Sequence, residues 1–87
     1  MIRIYPTALF LLAGTLGHAF ACEDGHWIEE VLADGQILKL EDGSMWKVDP
    51  ADTVDSALWL APSDVVVCDF TIINVDEGET VHVRRLR

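Results

Sequence analysis

Beyond position 21, acid–base or nucleophilic chemistry would have to rest on two histidines, His26 and His82, and three serines, Ser44, Ser56 and Ser63. No serine sits in the strand–turn–helix context of a nucleophile elbow. Ser44 follows the Asp42-Gly43 turn, and its expected role is local hydrogen bonding there. Cys22 and Cys68 offer a nucleophilic thiolate only while unpaired. The acids do not follow the calcium-loop pattern of alternating Asp, then Gly, then a bidentate Glu. Asp49, Asp52 and Asp55 are spaced by three and share one side of a helix if one forms there. Asp76, Glu77 and Glu79 crowd a hairpin tip. The first group reads as a capped turn and the second as a solvated loop. A zinc set drawn from His26, His82 and a cysteine has no recognisable spacing. The sequence therefore assigns no catalytic, cofactor-binding or metal-ligating residues, and a non-enzymatic protein is expected.

Binding is better supported than catalysis. Trp27, Trp46 and Trp59 are three tryptophans in a short chain. Buried, each fills a large part of a small core; exposed, each marks a contact face. Trp46 alternates with Val48 and is expected in the core. Trp27, beside His26, and Trp59, in an irregular stretch, are the candidates for a contact surface, with His82 and Arg84. The C-terminal Arg84-Arg85-Leu86-Arg87 reads as a strand end facing acidic neighbours, or as a docking tail. No glycine loop for phosphate and no basic–aromatic patch for nucleic acid is present.

The N-terminus supplies the cellular context. Arg3 is followed by the apolar stretch Ala8 to Leu16, and then by small residues at Ala19 and Ala21. A charged n-region, a short h-region and an A-x-A site in that order describe a signal peptide over residues 1–21. The apolar stretch is too short to span a bilayer. The chain has 87 residues, 15 acids and 6 Lys and Arg. Cleavage leaves one domain, residues 22–87, with a net charge of about −10. Such a charge repels nucleic acid and anionic membrane surfaces and suits a basic protein partner. A periplasmic or secreted location follows, and a monomer is expected.

An oxidising compartment favours a Cys22–Cys68 disulfide. It would close a loop of about 47 residues and stabilise the domain by about 4 kcal/mol. Cys22 has a rival use, because it would be the first residue after cleavage, where bacterial lipoproteins carry lipid. Ala19-Phe20-Ala21 matches a lipobox poorly, since Phe20 is large. Membrane association is expected only if Cys22 is lipidated.

The rest of the chain reads as short strands separated by turns. Asp34-Gly35 and Asp42-Gly43 predict two-residue hairpin turns. Strands are predicted over Trp27 to Ala33, Gln36 to Glu41 and Ser44 to Val48. Leu38 and Leu40 share one face, as do Trp46 and Val48. Asp49 as N-cap, Pro50 at the first position and Asp52 in the first turn predict a short helical turn or loop before Pro62. Val65 to Val75 reads as one long strand bent near Asp69, with Val66, Cys68, Phe70 and Ile72 on one face. Asp76-Glu77-Gly78 predicts a three-residue loop. Thr80 to Leu86 returns with Val81 and Val83 inward and His82 and Arg84 outward. The expected fold is all-β: a small five-stranded antiparallel barrel or roll, with the helical turn or loop between strands 3 and 4.

Leu40-Glu41-Asp42-Gly43-Ser44-Met45-Trp46, with Leu58-Trp59 and Ile73-Asn74, resembles a set of small, largely uncharacterised exported bacterial proteins that share an L-x-D-G-S-x-W pattern. The resemblance covers most of the chain after position 21. It implies a tight turn feeding a strand whose Trp plugs the core, and it brings no activity or cofactor with it. The expected function is a non-enzymatic envelope module for protein or ligand contact. The alternatives are an inhibitor of a secreted basic enzyme and a structural lipoprotein anchored through Cys22.

Overall fold

A computed structural model describes residues 22–87, so the signal-peptide reading of residues 1–21 lies outside the described residues. Six antiparallel strands close into a barrel: β1 (Glu23–Leu32), β2 (Ile37–Leu40), β3 (Met45–Val48), β4 (Asp64–Val67), β5 (Thr71–Asn74) and β6 (Glu79–Arg85). Around the wall the order is β1-β2-β3-β6-β5-β4, and β4 pairs back onto β1. β1 can serve both neighbours because it bends. Its pairing shifts between Ile28 and Glu30 against β2, and between Glu23 and His26 against β4. Bulges of this kind turn a strand around a barrel corner.

The expectation of five strands is corrected to six. The Val65 to Val75 run folds back on itself, with Val67 opposite Ile72 and the Cys68 N–H donating to the Thr71 carbonyl at 2.9 Å. Val65 is buried before the turn, whereas Ile72 and Asn74 are buried after it. The inward positions change from odd to even across the turn, which a regular strand without a bulge cannot do. Phe70 lies at the turn, largely exposed, so the predicted shared face of Val66, Cys68, Phe70 and Ile72 does not form.

The hairpin loops are also longer than predicted. Leu32 pairs with Ile37, leaving a four-residue connection through a 3-10 turn (Ala33–Gly35). Its shape comes from a tertiary contact. Ser56 Oγ donates to the Gly35 carbonyl at 2.6 Å, and a Cβ on Gly35 would lie 2.4 Å from the Ala57 nitrogen. The Asp42-Gly43 loop has three residues, because the Leu40 N–H donates to the Ser44 carbonyl. The Asp42 carboxylate accepts from both the N–H and the hydroxyl of Ser44, and Gly43 takes the left-handed position at φ 86. At the β5–β6 loop Asn74 pairs with Glu79, so that loop spans four residues.

Between β3 and β4 the capped turn forms as read. Asp49 accepts from the Ala51 N–H, a 3-10 turn covers Pro50–Asp52, and the helical turn α1 covers Thr53–Ser56. This segment covers one barrel end. The core comprises Ile28, Leu38, Leu40, Trp46, Val48, Trp59, Val65, Ile72, Val81 and Val83. No helix among the described residues is long and apolar enough to cross a membrane.

The Cys22–Cys68 disulfide is present, with the two sulfurs 2.07 Å apart. It pins the start of β1 to the end of β4, the seam that closes the barrel. It also occupies the sulfur that a lipid would take, so the lipoprotein reading of Cys22 does not fit this fold. Charge is unevenly placed on the wall. Every described lysine and arginine (Lys39, Lys47, Arg84, Arg85 and Arg87) lies on β2, β3, β6 or just after β6, and none lies on β1, β4 or β5.

Candidate functional site

The end opposite the helical cap holds a group of polar side chains. Three pieces of chain meet there: the start of β1, the β2–β3 loop and the β4–β5 turn. Glu23, His26, Asp42, Ser44, Trp46, Cys68, Asp69 and Arg85 line a cleft of about 260 Å³ at this barrel mouth. The disulfide holds the cleft's β1 and β4 walls together.

Trp46 forms the floor of the cleft and is 6% exposed. Its indole Nε1 donates to Ser44 Oγ at 2.9 Å, and Ser44 Oγ donates to Asp42 Oδ1 at 2.6 Å. The hydroxyl proton therefore goes to Asp42 and to neither histidine. These bonds from the Ser44 side chain and backbone hold the Asp42 carboxyl below its ordinary range. The Arg85 guanidinium carbon lies 5.4 Å from the centre of the Trp46 ring, within cation–π reach.

His26 stands between two carboxylates. Its Nδ1 is 2.7 Å from Glu41 Oε2, and its Nε2 is 3.2 Å from Glu23 Oε1. Glu41 Oε1 in turn accepts from the Trp27 N–H at 3.0 Å. The bond to Glu41 raises the His26 pKa, against a smaller opposing effect of burial, and Glu23 adds to the rise. For Glu41, burial pushes upward most strongly, but the Trp27 N–H and His26 together outweigh it and leave the carboxyl lowered. His26, Glu41 and Asp42 each place a potential ligand atom within 4.8 Å of the others. Sequence reading tested His26 only against His82 and the cysteines. The link to Glu41 spans 15 positions and depends on the β1–β2 register, with Ile28 opposite Leu40.

His26 also borders a second depression, on the outer wall. Asp24, Gly25, Trp27, Asp64, Val66 and Val75 line this groove, about 520 Å³ in volume. Trp27 is 45% exposed, and Val75 is exposed beside it.

The predicted contact residues do not form one surface. Trp27 faces outward on β1. Trp59 is 3% exposed, and its Nε1 donates to Glu79 Oε1 at 2.7 Å, so it is a core residue and not a contact residue. His82 and Arg84 are exposed on β6, three strands from β1 in either direction around the barrel. They therefore lie across the molecule from Trp27. The His82 N–H donates to Asp52 Oδ2 at 2.8 Å and its Nδ1 lies 3.1 Å from the same oxygen, tying the helical segment to β6. That bonding, led by the backbone N–H, lowers the Asp52 pKa. Comparison with protein-family models, curated proteins and solved structures finds no match in any of the three.

Proposed function

We propose that the protein is a non-enzymatic, exported contact module of the bacterial envelope, which engages a basic partner through the groove beside Trp27. The observation that carries this reading is the half-exposed Trp27 in a groove bordered by Asp24 and Asp64. A tryptophan face with flanking carboxylates suits a Lys or Arg side chain, which gains cation–π and ion-pair contacts together. Exposed tryptophans are also enriched among the residues that dominate binding energy. The disulfide and the acidic charge agree with export and with a basic partner. Likeness to the exported L-x-D-G-S-x-W proteins points the same way.

Phe70 favours a narrower form of this reading, an inhibitor of a secreted basic enzyme. It projects from a hairpin tip two residues beyond the disulfide cysteine and is 74% exposed.

The test is capture from envelope extract at low salt by the oxidised 22–87 chain. The wild-type domain is expected to retain a basic protein, and Trp27→Ala to weaken that retention by about tenfold or more. Recovery of nothing specific, or equal retention by Trp27→Ala, overturns the reading. Residual activity of a captured hydrolase separates an inhibitor from a plain contact module.

A further inference from the structure

We propose that His26, Glu41 and Asp42 form a binding site for a divalent transition-metal ion of the Zn²⁺ type. The site adjoins the Trp27 groove, which His26 also borders, but its ligand set does not include the Trp27 side chain and the assignment does not rest on a partner in that groove. Its donors are one imidazole nitrogen and two carboxylate oxygens, all within 4.8 Å of one another. That set suits a borderline ion, which takes nitrogen and oxygen ligands and keeps a fourth position open when the protein supplies three. His26 and Asp42 both line the mouth cleft, which gives an ion a route in and room for a water ligand.

Bonds behind the ligands support this assignment independently of their proximity. In metal sites the ligating imidazole commonly donates its far nitrogen to a carboxylate, which fixes the ring and its tautomer. Here His26 Nε2 faces Glu23 Oε1 at 3.2 Å, while Nδ1 points into the cluster. Each carboxylate is also held by one oxygen. Glu41 Oε1 takes the Trp27 N–H, and Asp42 Oδ1 takes both donors of Ser44. The second Glu41 oxygen, Oε2, faces the imidazole at 2.7 Å, and an Asp42 carboxylate oxygen lies within 4.8 Å of both. His26 sits on β1, while Glu41 and Asp42 sit on the β2–β3 loop, which is tied down by the Glu41 N–H donating to the Trp27 carbonyl at 3.1 Å and the Leu40 N–H donating to the Ser44 carbonyl at 3.0 Å. Glu23, Glu41 and Asp42 place three carboxylates near one imidazole, with the Arg85 guanidinium also in the cleft, and a dication would offset the negative charge that remains.

The experiment is titration of the oxidised, metal-free 22–87 chain with ZnCl₂, followed by calorimetry and by NMR of the histidine ring nitrogens. About one ion per chain is expected, with the His26 resonances moving and those of His82 unmoved. His82 Nδ1 pairs with the Asp52 carboxylate, outside the proposed ligand set, and serves as an internal control. His26→Gln and Asp42→Asn are each expected to weaken binding by about tenfold or more. If His26→Gln does not fold, Glu23→Gln replaces it. The Glu23 side chain is 75% exposed, and its loss is expected to weaken binding several-fold while leaving the fold intact. No saturable uptake below about 1 mM, equal movement of both histidines, or undiminished binding by the variants overturns the assignment.

Discussion

At the scale of single residues, His26 joins two carboxylates, Glu41 and Glu23, from different parts of the chain. Its raised pKa and the lowered pKa of Glu41 have opposite consequences for stability. A raised histidine stabilises the fold below its unfolded value, near pH 6.5, and that gain is lost as pH rises through the folded value. A lowered glutamate stabilises above its unfolded value, near pH 4.5, and that gain is lost as pH falls through the folded value. The pair therefore contributes most between about pH 4.5 and 6.5. In chelator-treated buffer, the difference in melting temperature between wild type and His26→Gln should be largest near pH 5.5 and should shrink toward pH 9. A difference that grows toward pH 9 would show that the pair does not act as an ion pair. None of this was legible in the sequence, because the two side chains meet only through strand pairing. What was legible is the local chemistry of one turn. Asp42 bonds to Ser44 and Ser44 to Trp46, each across two positions, with Gly43 at the left-handed turn position between Asp42 and Ser44.

At the scale of elements, the sequence was a good guide wherever alternation and turn chemistry agreed. Leu38, Leu40, Trp46, Val48, Val81 and Val83 all face inward as their spacing implied, and Asp49-Pro50 opens the helical segment. The misreading was the β4–β5 hairpin, whose turn residues Asp69-Phe70 include no Gly, Pro or Asn. Asp69 marks a bend, but without Gly, Pro or Asn beside it the bend does not read as a full reversal; the change of inward phase was the signal left over. Gly35 marks a second limit. Its Asp-Gly pair does sit in a turn, but the loop length is set by Ser56 and Ala57, more than 20 residues away. Gly35→Ala would need φ +89 and would force a Cβ to 2.4 Å from backbone. It is expected to destabilise the domain by about 2 kcal/mol or more, as read by denaturant unfolding. Gly43→Ala, with open space around its Cβ position, should cost less, and equal losses would remove the role given to the helical cap.

At the scale of the whole molecule, the barrel closes where β1 meets β4, and the disulfide spans that seam with a sequence separation of 46. A domain this small has little core to spare. Replacing both cysteines with serine should remove about 4 kcal/mol, which lowers the melting temperature by on the order of 10 °C or more. A loss below about 1 kcal/mol would mean that strand pairing alone secures the seam. The closed all-β form was legible from short alternating strands and turns, and the disulfide from two cysteines in a chain read as exported, whereas the strand count and pairing order were not, because the full reversal at Asp69 and the bulges in β1 leave no clear mark in the sequence. The placement of lysines and arginines has one further consequence. All those among the described residues stand on the β2, β3 and β6 side, while Trp27 and its neighbouring acids stand on the other. The molecule is thus an electric dipole as well as a net anion. A positively charged surface exerts a torque on it while the two are still separated by solvent, turning the Trp27 side forward. Orientation is then settled before contact, so the sorting of charge governs how often an encounter is productive more than how long it lasts.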